Sequence, residues 1–307
     1  MKWQKLGPIW SAKKHLDWGQ IGTLTPTPYL MSNGTIRVYC GIRDSNGIGR
    51  IGFFDVDEVD PTKIITYSKK PVLDIGEPGT FDDNGMLLGD IIKVGNEIRM
   101  YYVGFQLATR AKFLAFGGLA LSVDNGDSFQ RYQPFPIIDR DASGLFIRAI
   151  HGVRKIKNDQ YQVWFSEGAG WEFINKIPYP KYSIATLISP DGITFPANLG
   201  KGINLHKKGE YRLGRSRVFS LEENKHILTF TYGTASGLYQ SGYAISSDLI
   251  EWKRMDDWGL NPGSHAFDSR HLAYPAMIRN SSGNIFCFYN GNDMGADGIG
   301  VAKLLEY

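Results

Sequence analysis

The chain has 307 residues, with 34 Lys and Arg against 31 Asp and Glu, a net charge of +3 and a hydrophobic fraction of 42%. So small a charge gives no argument for a nucleic-acid or membrane-surface partner, and no stretch approaches the roughly 18 apolar residues needed to span a bilayer. Aromatic residues at 13% beside 36 glycines fit many short strands joined by tight turns, and also stacking platforms for sugar rings.

Met1–Trp10 has no long apolar run and no cleavage-site pattern, so the expectation is a cytoplasmic chain without a signal peptide. Beyond it one pattern recurs five times: Thr35–Gly41, Glu97–Gly104, Gln160–Gly168, His226–Gly233 and Asn284–Gly291. Tyr39, Tyr101, Trp164, Phe230 and Phe288 hold comparable places, giving a period of about 60 residues. Period-2 alternation between Gly and Asn clusters marks strands and not helices. Each copy follows a more apolar run: Pro28–Met31, Met86–Val94, Ile147–Ile156, Arg217–Leu221 and Ala273–Ile278. Each precedes a third strand: Arg50–Val56, Gly118–Val123, Tyr182–Ile188, Gly242–Ser246 and Gly298–Leu304.

Four copies run on into a fourth strand, while the fifth stops at Tyr307. Trp3–Trp10 is expected to supply the missing outer strand, which removes an exposed edge and ties down both termini. The predicted fold is all-β: one domain over 1–307, a five-bladed β-propeller of four-stranded antiparallel blades closed by the N-terminal strand. Amphipathic stretches of helical period are essentially absent.

Three turns between third and fourth strands are alike. Ser122-Val-Asp-Asn-Gly-Asp-Ser-Phe129 has the Asp-box pattern, and Ser189–Phe195 and Ser246–Trp252 are shorter relatives. An Asp carboxylate accepting local backbone N–H groups and a Gly at positive φ make these structural turns. The two cysteines, Cys40 and Cys287, are too few for a disulfide framework and are expected as buried free thiols.

In a propeller the innermost strands line a central channel, which nominates the residues at the start of each first strand. These are Thr25 and Thr27; Asp82, Asp83 and Asn84; Arg148 and His151; Arg212 and Arg215; and Asp268, Arg270 and His271. Glycosidic cleavage usually needs two carboxyl groups, for which Asp82 or Asp83 and Asp268 are the first pair. Their competing roles are an Asx-turn before the strand and a hydrogen bond at a ladder end. Asp90 ranks lower, because alternation leaves its side undefined. Glu167, in a Gly-rich segment beside Trp171, is the substitute carboxylate, with the indole as a sugar platform.

Asn290 and Asn292 have the chemistry to bind hydroxyl groups or to hold a turn. Arg148, Arg212, Arg215 and Arg270 can present forks to phosphate or carboxylate, which points to an anionic sugar, with ion pairs inside the fold as the alternative. No metal-ligand spacing, CxxC, HExxH, phosphate-binding Gly-rich loop or Gly-x-Ser-x-Gly is found, so neither a metal nor a cofactor is expected.

The run Pro71-Val-Leu-Asp, Gly79-Thr-Phe-Asp-Asp-Asn-Gly85, Met100-Tyr-Tyr-Val-Gly104, Gly118-Leu-Ala-Leu-Ser122, Asp268-Ser, Ala273-Tyr-Pro275 and Phe288-Tyr-Asn-Gly-Asn292 resembles the five-bladed glycosidase-like proteins. These are grouped with glycoside hydrolase families 32, 43 and 130, and the likeness is nearest to uncharacterised members from bacterial surface-polysaccharide gene clusters. It implies a sugar or glycan substrate, with Tyr274 among the binding residues. The first-blade catalytic aspartate of families 32 and 43 has no counterpart here, since the segment reads Thr25-Pro-Thr-Pro28. The Glu-Asp-Pro-Arg signature of family 130 is also missing.

Three readings follow: a glycoside hydrolase; a phosphorylase or glycosyltransferase acting on a phosphorylated or acidic sugar; and a non-catalytic glycan-binding propeller.

Overall fold

The computed structural model describes every residue except 197–199, 256 and 264, and β-strands make up most of it. β1 (Lys2–Trp10) opens the chain, followed by β2 (Gly22–Leu30), β3 (Thr35–Arg43), β4 (Gly49–Asp57) and β5 (Ile64–Tyr67). Next come β6 (Met86–Val94), β7 (Glu97–Ala108), β8 (Ala111–Ser122) and β9 (Gln130–Arg131). β10 (Ile147–Lys155), β11 (Tyr161–Ile174), β12 (Ile177–Ser189) and β13 (Lys201–Ile203) repeat that arrangement. β14 (Glu210–Glu222), β15 (Lys225–Thr234), β16 (Tyr239–Ser246) and β17 (Lys253–Met255) precede β18 (Ala273–Arg279), β19 (Ile285–Asn290) and β20 (Ile299–Glu306). No helix among the described residues is long and apolar enough to cross a membrane.

The chain packs as two compact units. The first comprises Met1–Val72, Val218–Thr231 and Tyr239–Tyr307, and the second Leu73–Arg217 with Tyr232–Leu238, so β14 and β15 contribute residues to each.

In the first unit β2, β3, β4 and β5 pair antiparallel in chain order. Its other sheet runs β1-β20-β19-β18, and β1 pairs antiparallel with β20 from Lys2↔Glu306 to Trp10↔Ile299. The N-terminal segment is thus the outer strand of the last sheet, where the truncated fifth repeat leaves room for it. The core of this unit shows the period-2 rule on a single strand. Phe286 and Phe288 of β19 pack with Trp10, Val38, Phe54 and Val301. The alternate residues Ile285, Cys287 and Tyr289 pack with Trp258, Phe267 and Leu272. Both faces of β19 are therefore covered, which explains an almost unbroken apolar run.

The second unit has two antiparallel sheets in chain order, β6 to β9 and β10 to β13. They touch through a short parallel step, Ile147↔Ala115 and Arg148↔Phe116. Tyr101, Ile150, Val163, Phe165 and Leu187 form the centre of its core.

The five comparable aromatics, Tyr39, Tyr101, Trp164, Phe230 and Phe288, are each 0% exposed. Full burial of side chains this large contributes about 1.5–3 kcal/mol apiece, so the repeat marks the sheet interiors. Turns fix the register. Between β2 and β3 the Asn33 carboxamide oxygen accepts from Thr35 N at 3.2 Å, and Gly34 takes a φ of 78° that a side chain would oppose. Cys40 and Cys287 are buried free thiols, as expected, and burial pushes both well above the usual thiol range.

Candidate active site

The first strand of most sheets carries a break in register that re-aims its side chains. β2 slips against β3 between Leu24 and Thr27, β6 against β7 between Leu88 and Asp90, β10 against β11 between Ile150 and Gly152, and β18 against β19 between Ala273 and Ala276. Two residues at such places hold left-handed backbone, Thr25 at φ 53° and Tyr274 at 55°, and so does Arg215 of β14 at 58°. Each costs of order 1–3 kcal/mol, and such strain and such bulges gather at functional sites. The bulges went unread in the sequence, although Pro26, Gly89, Gly152 and Pro275 beside them were a visible signal.

In the second unit the bulges of β6 and β10 meet β14 in one network. Arg215 Nη1 donates to Gly89 O at 2.6 Å and Arg217 Nη1 to the same oxygen at 3.0 Å. Arg217 also pairs with Asp90 Oδ1 at 2.9 Å, while Asp90 Oδ2 accepts from Val153 N at 2.8 Å. Asp90 therefore points inward and ties β6 to β10. Gly89 is required here, because a Cβ on it would lie 2.5 Å from Ile150 O.

His151 is buried, with Nε2 at 2.9 Å from Ser166 Oγ. That hydroxyl donates onward to Leu213 O at 3.3 Å, so it accepts from the imidazole, and the proton sits on Nε2. Nδ1 is then a bare acceptor with no hydrogen-bond partner among the described residues. Burial first, and then the charges of Arg215 and Arg217, hold His151 well below the usual imidazole range, so the ring is neutral.

Arg148 lies opposite Glu167 in the β10–β11 ladder. Its Nη1 pairs with Asp141 Oδ2 at 2.7 Å and its Nε lies 3.5 Å from Glu167 Oε1. Nη2 is buried without a hydrogen-bond partner among the described residues. Ser143 Oγ donates to Glu167 Oε1 at 2.9 Å. Glu167 keeps 14% of its side chain exposed, unlike the nearly sealed Arg148. Farther along β11, Trp171 packs against Phe146 with ring centroids 4.2 Å apart and stays partly exposed.

The other nominated residues fall elsewhere. Asp82 is 0% exposed, pairs with Arg131 at 2.8 Å and accepts from Thr80 Oγ1 at 3.0 Å. Burial and the neighbouring Asp82 charge push the Tyr102 phenol up. Asp83 is partly exposed, accepting from Gly79 N at 2.8 Å and from the Asn84 amide. Arg212 lies over the Tyr211 ring at 5.1 Å.

In the first unit, buried Asp268 pairs with Lys5 at 2.6 Å and accepts from Tyr289 Oη at 3.1 Å. Asn290 gives both amide hydrogens to backbone, Thr23 O at 2.7 Å and Gly298 O at 2.8 Å, and accepts from Thr25 N at 2.9 Å. Asn292 accepts from the Arg270 and His271 backbone N–H groups, both at 2.9 Å, and donates to Ala266 O and Ser269 Oγ. The amide donors of both asparagines are thus committed to the chain itself. Arg270 makes an exposed ion pair with Asp293 at 2.7 Å, and Tyr274 Oη accepts from Tyr239 Oη at 2.8 Å. No group of His, Cys, Asp and Glu with the arrangement to hold a metal occurs among the described residues.

No protein-family model matches the chain. The uncharacterized protein Rv1502 of Mycobacterium tuberculosis is 26% identical over 306 residues, covering 99% of each sequence. Among solved structures, an endo-arabinase from Bacteroides thetaiotaomicron has a TM-score of 0.66 at 11% identity, over 99% of this protein and 98% of that one. A thermostable family-43 glycoside hydrolase has a TM-score of 0.65 at 13% identity, over 93% and 90%. The protein therefore has the all-β fold found in glycoside hydrolase structures of this kind.

Proposed function

We propose that the protein is a glycosidase-like enzyme on a five-bladed β-propeller, with Glu167 as the acid–base group for a glycosidic bond. The five buried aromatic repeats, the pairing of β1 with β20 and the likeness to a family-43 structure support the fold half of this reading.

The observation that carries the catalytic half is the setting of Glu167. It has surface to offer, a serine hydroxyl and an arginine lie against its Oε1, and Trp171, farther along its strand, packs on Phe146. A carboxyl group so placed can pass a proton to and from a leaving oxygen while Trp171 stacks on a sugar ring. Asp83 is the second carboxylate in this reading, because Asp82 is sealed into its ion pair and Asp83 is partly exposed.

The purified protein should cleave at least one substrate in a panel of aryl-glycosides and bacterial surface glycans. Glu167→Gln should lower kcat by about 10²–10⁴-fold. A panel in which nothing is cut, or full activity in Glu167→Gln, overturns the assignment.

A second reading, transfer to or from an anionic sugar, is favoured by the buried, unbonded Nη2 of Arg148. Calorimetric titration with phosphate, sugar phosphates and nucleotide sugars separates it from hydrolysis of a neutral glycan, which needs none of them.

A further inference from the structure

In the first unit, β1 and residues between β17 and β18 line an open cavity of about 700 Å³. Its wall includes Lys5, Pro8, Gly263, Phe267, Asp268 and Tyr289. The volume falls inside the roughly 300–1,000 Å³ range of small-molecule sites.

The polar equipment is compact. Asp268 is 1% exposed, and its Oδ2 takes the Lys5 ammonium at 2.6 Å and the Tyr289 hydroxyl at 3.1 Å. Its Oδ1 has no hydrogen-bond partner among the described residues. A buried carboxylate oxygen left without a donor is costly, and that asks for a ligand group. Lys5 Nζ gives a second hydrogen to Asn261 O at 2.6 Å; an ammonium has three. Gly263 keeps this corner open: a Cβ on it would lie 2.9 Å from Lys5 Nζ and 3.4 Å from Asp268 Oδ1.

Charge selects the class of ligand. The Lys5–Asp268 pair is neutral as a whole, so a cation would meet the ammonium and an anion the carboxylate. What fits is a neutral molecule that donates to Oδ1 and accepts from Nζ through adjacent groups. Phe267, Tyr289 and Pro8 supply apolar wall for C–H faces.

We propose that this cavity binds a neutral polyol or sugar through two neighbouring hydroxyl groups, one donating to Asp268 Oδ1 and the other accepting from Lys5. The site is a binding site, and no step of bond cleavage is assigned to it.

Saturation-transfer NMR and calorimetry with glucose, galactose, mannose, arabinose and myo-inositol test it, with choline and acetate as charged controls. At least one polyol should bind the wild type and Glu167→Gln equally. Its affinity should fall about tenfold or more in Gly263→Ala and in Asp268→Asn. Gly263 is exposed and outside the positive-φ set, so Gly263→Ala reads the site even where Asp268→Asn fails to fold. Gly263→Ala should leave cleavage unchanged. Failure of every polyol to bind, binding undiminished in Gly263→Ala, or preference for a charged control overturns the proposal. A polyol that binds where no glycan is cleaved sinks only the role given to Glu167.

Discussion

At the scale of single residues, His151 makes the sharpest demand on solution behaviour. Its imidazole is neutral in the fold because burial and two arginines oppose its charge, whereas the unfolded chain takes up a proton near pH 6.5. The sign follows: the unfolded state binds more protons below pH 6.5, so stability falls as pH falls through that value. The slope approaches about 1.4 kcal/mol per pH unit. Urea unfolding at several pH values should show this decline in the wild type and a shallower one in His151→Gln, whose amide still reaches Ser166. Parallel profiles would sink the account.

His151, Arg148 and Glu167 were each legible in the sequence by position. Their partners were not. Arg148 meets Asp141 through a loop whose path no periodicity encodes. Lys5 meets Asp268 across 263 residues, a contact that exists only because β1 joins the last sheet.

At the scale of elements, the Asp-box turn behaves as its pattern foretold. Asp124 Oδ1 accepts from Ser122 Oγ at 2.6 Å and Ser128 N at 3.0 Å, Oδ2 from Ser128 Oγ, and Gly126 takes a φ of 85°. Partial burial opposes the charge, yet hydrogen bonds from Ser122 and Ser128 outweigh it and bring the carboxyl down to about 2. Asp124→Ala should cost about 1–2 kcal/mol at neutral pH in chemical denaturation. The gap between variant and wild type is present above the ordinary carboxylate value of 3.8 and should close as pH falls through about 2.

The shorter relative at Ser246 departs in one respect, since Leu249 takes the left-handed place at φ 64°. Strand lengths were read less well. The run expected as Arg217–Leu221 is Glu210–Glu222, because Gly214, Arg215 and Ser216 look like a loop yet lie within the strand. Gly104 reads as a stop but lies inside β7, where Phe81 occupies the space of a missing side chain.

At the scale of the whole molecule, the recurring aromatic strands were the most readable feature, because their marker side chains are completely buried. The pairing of the ends was readable too, because the fifth repeat lacks an outer strand and Trp3–Trp10 has strand character. Removing Met1–Trp10 should expose the edge of β20 and take Trp10 from its stack on Phe54, 4.7 Å away between ring centroids. Loss of the Trp10 side chain alone costs about 3–5 kcal/mol. The truncated protein should melt earlier by calorimetry and associate in size-exclusion chromatography, and a monomer of unchanged melting temperature would contradict this.

The join of β1 to β20 also has a consequence for synthesis. At roughly 5–20 residues per second, a ribosome needs about 15–60 s to pass from Trp10 to its partner strand at Ile299. Throughout that time the first ten residues, Trp10 among them, have no partner strand. The nascent protein therefore carries an unpaired strand until Ile299–Glu306 has been made, and the sheet that joins the two is assembled only then.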